Sequence, residues 1–196
     1  FVEIDPRQAK AIRKQYNWGR AGWEGGAIAS DNKTAYLGID GTPGWFVKFV
    51  ANEAGDFTSG DLFLYSEAAE GNWEQIDNSV LANMLQMDSM GRNAGATMFN
   101  RVEWVAIDPE TGKVYFTETG RDNPASRWSD DAEGGAAYAA HHLARASEQG
   151  VTVDSSAYWD YYGRVMEYDP TTGEVSVFLE GGPFINSSDG ASPANY

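Results

Sequence analysis

One hairpin pattern occurs twice in this chain and limits the folds that the chain can adopt. A strand, the turn sequence Asp-Pro-x-Thr-Gly and a second strand run through residues 102–117 and again through residues 163–179. Asp, Pro and Gly form turns, and the flanking residues are rich in the β-branched and aromatic types that favour strands. The two turns, counted from Asp108 to Asp169, are 61 residues apart, and residues 1–6 repeat the first half of the pattern.

Hairpins that recur every several tens of residues are typical of β-propellers, whose blades are four-stranded antiparallel sheets. We therefore predict an all-β fold built of such blades, with a β-sandwich as the main structural alternative. A blade takes roughly 40–50 residues, so this chain has room for about three to four blades, whereas a closed propeller has about four to eight. We expect residues 1–196 to form a single propeller domain or a fragment of one, with the missing blades in a longer precursor or a companion chain.

Two stretches interrupt the strands and predict helical insertions. Apolar residues near helical spacing occur within 77–92, and an Ala-rich stretch within about 133–149 ends before Gly150. We interpret residues 7–17 as a connector, the region of Gly55 and Gly60 as a loop, and residues 181–196 as loop. Four tryptophans are expected in the core or in a pocket wall: Trp18, Trp23, Trp45 and Trp104.

The composition excludes several classes of function. A net charge of −15 makes nucleic acid and anionic membranes unfavourable partners. The acidity suits a protein that holds hard cations, although it also serves solubility alone. The chain has no Cys and no apolar run of membrane-spanning length, and we expect no signal peptide within these residues. It begins at Phe1 within a predicted strand, and we expect a processed product or a piece of a longer protein.

The candidate site residues are an arginine and several acids. Arg101 and Glu103 are two positions apart, so on a strand they share a face, where the guanidinium suits an anion and the carboxylate a metal. The alternative is an ordinary surface ion pair. Glu24, Asp40 and Glu118 also offer hard oxygen ligands, although Glu24 lies beside glycines and Asp40 precedes Gly41, as loop and turn acids do. Asp108 and Asp169 are interpreted as turn formers and not as ligands.

Four segments of the chain resemble the PhoX-type alkaline phosphatases, in the right order and over nearly the whole chain, as a central to C-terminal portion. The match over 95–104 is the most specific. The segments are Gly19-Arg20-x-x-x-Glu24, Tyr36–Asp40 followed by Trp45–Val50, Gly95-Ala96-Thr97-x-x-x-Arg101-x-Glu103-Trp104, and Gly163-Arg164-Val165 with the turn that follows it.

The resemblance implies a periplasmic or extracellular phosphomonoesterase on a six-bladed propeller that uses iron together with calcium ions. Carried over by position, Glu24 resembles an iron ligand, and Glu103 a second, metal-bridging carboxylate. Asp40 is similar in position to a calcium-binding acid. Arg101 is similar to the arginine that holds the phosphate, and it is therefore the candidate catalytic residue.

The sequence also departs from the family pattern. Trp23 stands where the family commonly has His before the acid, and the Cys-bearing metal motif of the family lies upstream of Phe1. The run Ser192-Pro193-Ala194-Asn195 lacks the Asp of a further metal motif. Part of the expected metal shell is therefore missing from these residues.

Three functions remain open from the sequence: a metal-dependent phosphatase, a non-catalytic calcium- or ligand-binding propeller with a degenerate site, and a hydrolase of another ester such as a lactonase. For the phosphatase we expect Glu24, Arg101 and Glu103 to converge at one end of the propeller axis, with Asp40 nearby. We also expect Arg101 to stand free of Glu103 and to meet an anion.

Overall fold

The computed structural model describes residues 1–119, 139–152, 158 and 163–180. The strands of these regions are β1 (Val2–Asp5), β2 (Lys10–Lys14), β3 (Trp23–Ile28), β4 (Thr34–Ile39), β5 (Trp45–Glu53), β6 (Asp56–Tyr65), β7 (Trp73–Ile76), β8 (Val102–Ile107), β9 (Val114–Glu118), β10 (Arg164–Asp169) and β11 (Glu174–Glu180). The helices are α1 (Leu81–Leu85), α2 (Met87–Asn93) and α3 (Ala139–Glu148), with 3-10 turns at Tyr16–Trp18 and Glu70–Asn72.

The strands of the described regions form antiparallel sheets of two, four and five strands. Their orders are β1-β2, β11-β10-β9-β8 and β3-β4-β5-β6-β7, so neighbours along the chain are neighbours in each sheet. The predicted fold class is confirmed, because the described part is mostly β, with blade-like antiparallel sheets and few helices. It contains two such sheets and a hairpin, where the length estimate predicted three to four blades.

Both copies of the repeated hairpin lie in one sheet. The pairs β8–β9 and β10–β11 join through β9 and β10, where Thr117 pairs with Val165. The interpretation of their spacing as the interval between blades is therefore wrong, since the copies are two halves of a single four-stranded sheet. The turn roles are confirmed: Asp108 Oδ1 accepts the Glu110 N–H at 2.9 Å, and Asp169 Oδ1 accepts the Thr171 N–H at 2.8 Å.

The five-stranded sheet has a hydrophobic cluster on each face. Because side chains alternate along a strand, β5 points Trp45 and Phe49 to one face and Phe46 to the other. The first cluster is covered by Met84 and Met87 of the short helices. The second lies between the two large sheets, where the rings of Phe46 and Phe116 stack with centroids 4.5 Å apart.

The helical insertions are confirmed, but two loop predictions are wrong. The helices α1 and α2 lie within or one residue beyond 77–92, and α3 lies within 133–149. Residues 10–14 form β2 and pair with β1, and Gly60 lies inside β6 opposite Ala51. None of the helices in the described part of the chain is long and apolar enough to span a membrane. The predicted loop at 181–196 lies outside the described residues.

A bulge in β8 overturns the prediction for one tryptophan. The pairing of β8 with β9 shifts between Val102 and Val105, so both valines are buried and the regular alternation of a strand is broken. Trp104 is consequently 74% exposed and not part of the core. Trp18 and Trp45 are core residues as predicted, and Trp23 is half-buried.

Candidate active site

The backbone at Arg101 is in the left-handed region, with φ of 59°, immediately before β8. Few non-glycine residues adopt this conformation, because it brings the side chain close to the backbone. Two hydrogen bonds between Gly44 and Phe99 tie this segment to the start of β5, at 2.7 and 3.2 Å. A Cβ on Gly44 would lie 2.6 Å from the amide nitrogen of Val102, so only glycine permits this approach.

The Arg101 side chain lies between two carboxylates. Its Nε and Nη2 are 3.0 and 3.3 Å from the two carboxylate oxygens of Asp40, which follows β4. Its Nη2 is also 3.4 Å from Oε1 of Glu103. The expectation that Arg101 stands free of Glu103 is therefore wrong. A guanidinium within reach of two carboxylates pairs with both, because its donors point in several directions and each contact is charge-assisted.

Glu24 lies on a strand beside this cluster, and its side chain is exposed. The neighbouring Gly25 lies against the β8 backbone, where an added Cβ would be 2.5 Å from the carbonyl oxygen of Glu103. The fold thus brings Asp40, Arg101 and Glu103 into contact and sets the strand of Glu24 next to them. Within the described regions, no three or more His, Asp and Glu side chains form a group that could hold a metal ion.

An open cleft of about 560 Å³ adjoins the cluster through Asp40. Its polar lining includes Arg20, Thr42 and Asp88, and its apolar lining includes Trp45 and Met87. The Nε1 of Trp45 donates to Oδ1 of Asp88 at 3.3 Å. The sequence predicted Trp45 in the core or in a pocket wall but gave no role in a site to Arg20, Thr42 or Asp88. The only signal was the position of Arg20 in a segment that resembles the family.

Two buried charged residues, Glu118 and Arg164, lie near the backbone of the residue before Arg101. Glu118 Oε1 accepts the backbone N–H of Asn100 at 2.6 Å, and its Oε2 lies 3.5 Å from Nη1 of Arg164. Both charged side chains are fully buried. Their signal in the sequence was alternation, because Glu118 occupies an inward position of β9 in register with the buried Val114 and Phe116. A charged residue on the buried face of a strand requires partners.

Comparisons with known proteins identify the family and the fold of this chain. Residues 1–193 match the family described as alkaline phosphatase PhoX. The chain belongs to the PhoX family. This confirms the family resemblance found in the sequence, and the members of this family are described as alkaline phosphatases. A comparison with curated proteins gave no match.

A solved PhoX structure has a similar fold. PhoX of Pseudomonas fluorescens, in complex with the transition state analogue vanadate, superposes with a TM-score of 0.59 at 20% sequence identity. The match covers 89% of this chain and 33% of the other, so the chain spans about a third of the length of that PhoX. At this identity the likeness concerns the fold, and it is consistent with a propeller-like fragment.

Proposed function

We propose that the protein containing this chain is a metal-dependent phosphomonoesterase in which Arg101 binds the phosphoryl group. The observation that carries the proposal is the fork-like pairing of the Arg101 guanidinium with Asp40 and Glu103 beside an open cleft, in a chain of the PhoX family. The same fork of N–H donors that meets two carboxylate oxygens also matches two oxygens of a phosphate.

The guanidinium would bind the phosphoryl group of the substrate, and the cleft would bind its alcohol portion. Arg101 is 43% exposed at its side chain, so a phosphoryl group can approach it from solvent. The cleft that shares Asp40 is large enough for the alcohol portion of a small phosphomonoester. As the phosphoryl group is transferred, Arg101 would stabilise the charge on its equatorial oxygens.

The charge of the cluster requires added cations. The cluster has two carboxylates and one guanidinium and is therefore net negative. The whole chain has a net charge of −15, and both charges repel a phosphate dianion. Asp40 and Glu103 offer the hard oxygens that calcium and iron prefer, and Glu24 on the adjacent strand offers a third carboxylate. Calcium takes about six to eight ligands, so others must come from beyond these three residues. Bound calcium and iron would supply positive charge and polarise the phosphoryl oxygens.

The test compares two arginines in the full-length protein. Arg101→Ala should lower kcat/KM for 4-nitrophenyl phosphate by about 100-fold or more, with little change in the urea midpoint. Arg13→Ala is the matched control, because Arg13 also pairs with a carboxylate at 3.0 Å and is 46% exposed. The proposal fails if Arg101→Ala retains the wild-type activity. A parallel panel of lactones separates a phosphatase from another ester hydrolase.

A non-catalytic calcium- or ligand-binding propeller is the second candidate. It is favoured by the engagement of Arg101 with two carboxylates, which compete with a phosphoryl group for the guanidinium. Metal analysis of the purified full-length protein separates the two: iron with calcium supports the phosphatase, whereas calcium alone, without turnover, supports the binder.

The family resemblance also leads us to propose a periplasmic or extracellular location. We further propose that the remaining blades come from the rest of a longer protein or from a companion chain. Cell fractionation and the intact mass of the native protein test these two points.

A further inference from the structure

We infer that Glu118 is a positioning residue for Arg101, and that Arg164 holds Glu118 in the geometry this requires. The inference rests on the role proposed above for Arg101. Neither Glu118 nor Arg164 has to touch the substrate. Their function would be to fix the backbone turn from which the guanidinium projects.

The turn at Arg101 needs external support. Its left-handed backbone is unfavourable for a residue with a side chain, so such a conformation persists where surrounding contacts determine it. Gly44 supplies one support through its two hydrogen bonds to Phe99. Glu118 supplies the other by accepting the N–H of Asn100 at 2.6 Å, a short, charge-assisted bond directly before Arg101.

The register of the four-stranded sheet places Glu118 for this contact. Glu118 pairs with Val102 on one side and with Arg164 on the other, and Arg164 pairs with Glu180. One row across all four strands therefore runs from the residue after Arg101 to the far edge of the sheet. The Nη2 of Arg164 lies 3.4 Å from Oε1 of Glu180, so the charged groups along this row contact one another.

Because this row of residues is buried, the Glu118 carboxylate is held in one orientation. The Glu118 and Arg164 side chains have no solvent exposure, so the carboxylate depends on protein donors. One oxygen faces the Asn100 N–H and the other faces Arg164. If the carboxylate rotated, it would lose both contacts together. The arrangement thus holds the Asn100–Arg101 peptide in one orientation and presents the guanidinium in a fixed direction.

The test is a double-mutant cycle in the full-length protein, with the affinity for inorganic phosphate as the readout. In Glu118→Gln one of the two oxygens becomes an NH2 group, which cannot accept from Asn100 or Arg164, and we expect phosphate affinity to fall about tenfold. In the Arg101→Ala background, Glu118→Gln should change the affinity by less than about twofold, because Glu118 acts through Arg101. Equal effects in both backgrounds would overturn the inference.

A second readout is independent of phosphate. Hydrogen exchange at the Asn100 amide should accelerate at least about tenfold in Glu118→Gln, since this amide loses its carboxylate acceptor. Glu167→Gln is the matched control. Glu167 lies in the same sheet, pairs with Lys113 at 2.6 Å and accepts a hydrogen bond from the Tyr115 hydroxyl. Unchanged exchange at Asn100 in Glu118→Gln would overturn the inference.

The outcomes separate this inference from the proposed function. If Arg101→Ala itself leaves phosphate affinity and turnover unchanged, the proposed function fails, and Asn100 exchange alone then decides whether Glu118 fixes the turn. If Glu118→Gln does not fold, Arg164→Lys replaces it, because it keeps the buried charge while removing the fork. It should then accelerate Asn100 exchange and weaken phosphate binding in the same direction, and an absence of both effects would overturn the inference.

Discussion

Arg101 and Asp40 are 61 positions apart in the chain, yet the Nε of Arg101 lies 3.0 Å from Oδ1 of Asp40. Asp40 directly follows β4 of the five-stranded sheet, and Arg101 directly precedes β8 of the four-stranded sheet. This pair therefore joins the two sheets at the candidate site. Its geometry depends on how the sheets meet and not on either local sequence.

Asp40→Asn tests whether this carboxylate holds a metal or only a salt bridge. The pair is partly exposed, so we expect the free energy of unfolding to fall by less than about 1 kcal/mol. If Asp40 is a ligand, the calcium concentration for half-maximal phosphatase activity should rise by about tenfold or more. Calcium titrations of activity, with urea unfolding in parallel, measure both. An unchanged calcium requirement would show that Asp40 serves Arg101 alone.

Gly44→Ala tests the close approach of β5 to the Arg101 turn. The new Cβ would lie 2.6 Å from the Val102 nitrogen and 2.9 Å from the Ile39 carbonyl oxygen. We expect a loss of about 1–3 kcal/mol in stability, together with weaker phosphate binding, since the turn must move. Urea unfolding and phosphate titration provide the measurements.

Gly55→Ala is the comparison for this variant. Gly55 has a φ of 79° and no atom within 4 Å of an added Cβ. An alanine at this position therefore strains the backbone without a steric clash. It should leave phosphate affinity at the wild-type value. If Gly44→Ala also leaves that affinity unchanged, the contact does not position Arg101.

Phe46→Ala tests the contact between the two large sheets. Phe46 is 1% exposed and stacks on Phe116, with further ring contacts to Tyr36 and Tyr65. Removing a buried Phe side chain costs about 3–5 kcal/mol through lost burial and the cavity left behind. Urea unfolding should show this loss, whereas Phe178→Ala, at a 60% exposed position, should cost far less. Equal losses would mean that the sheets do not depend on this contact.

Lys48 gives a prediction for the pH dependence of stability. Burial lowers its pKa from the ordinary 10.5 to about 8, and its Nζ lies 4.3 Å from the centroid of the Trp73 ring. Below pH 8 the lysine is charged in both the folded and the unfolded state, and the folded state is destabilised by the burial of this charge. Between pH 8 and 10.5 the folded state releases the proton first, so this residue's contribution to stability rises with pH.

Lys48→Met should therefore raise the urea midpoint at both pH values, and the gain at pH 7 should be about two or more times the gain at pH 10. The buried Tyr36 and Tyr65 have pKa values raised by burial and oppose this trend at alkaline pH. Their effect cancels when the variant is compared with the wild type. The exposed Lys10→Met serves as the control. A gain that is the same at both pH values would contradict the pKa assignment.

The sequence by itself determined the local elements and the family. Turn residues and the β-branched and aromatic residues beside them placed the hairpins around Asp108 and Asp169, because turn chemistry and strand propensity are properties of a few consecutive residues. Helical spacing located α1 and α2, and the Ala-rich stretch located α3, for the same reason. The motif from Gly95 to Trp104 identified the family, which the match over residues 1–193 confirmed.

Only the tertiary structure decided how these elements combine. Strand pairing is non-local, so the sequence did not show that both hairpins share one sheet or that residues 10–14 pair with β1. The bulge after Val102 depends on the register with β9, and this register exposes Trp104, which was predicted to lie in the core or in a pocket wall. The pairing of Arg101 with Asp40 likewise required two sheets to meet. The support from Glu118 required the register of β9 against β8, which no local pattern specifies.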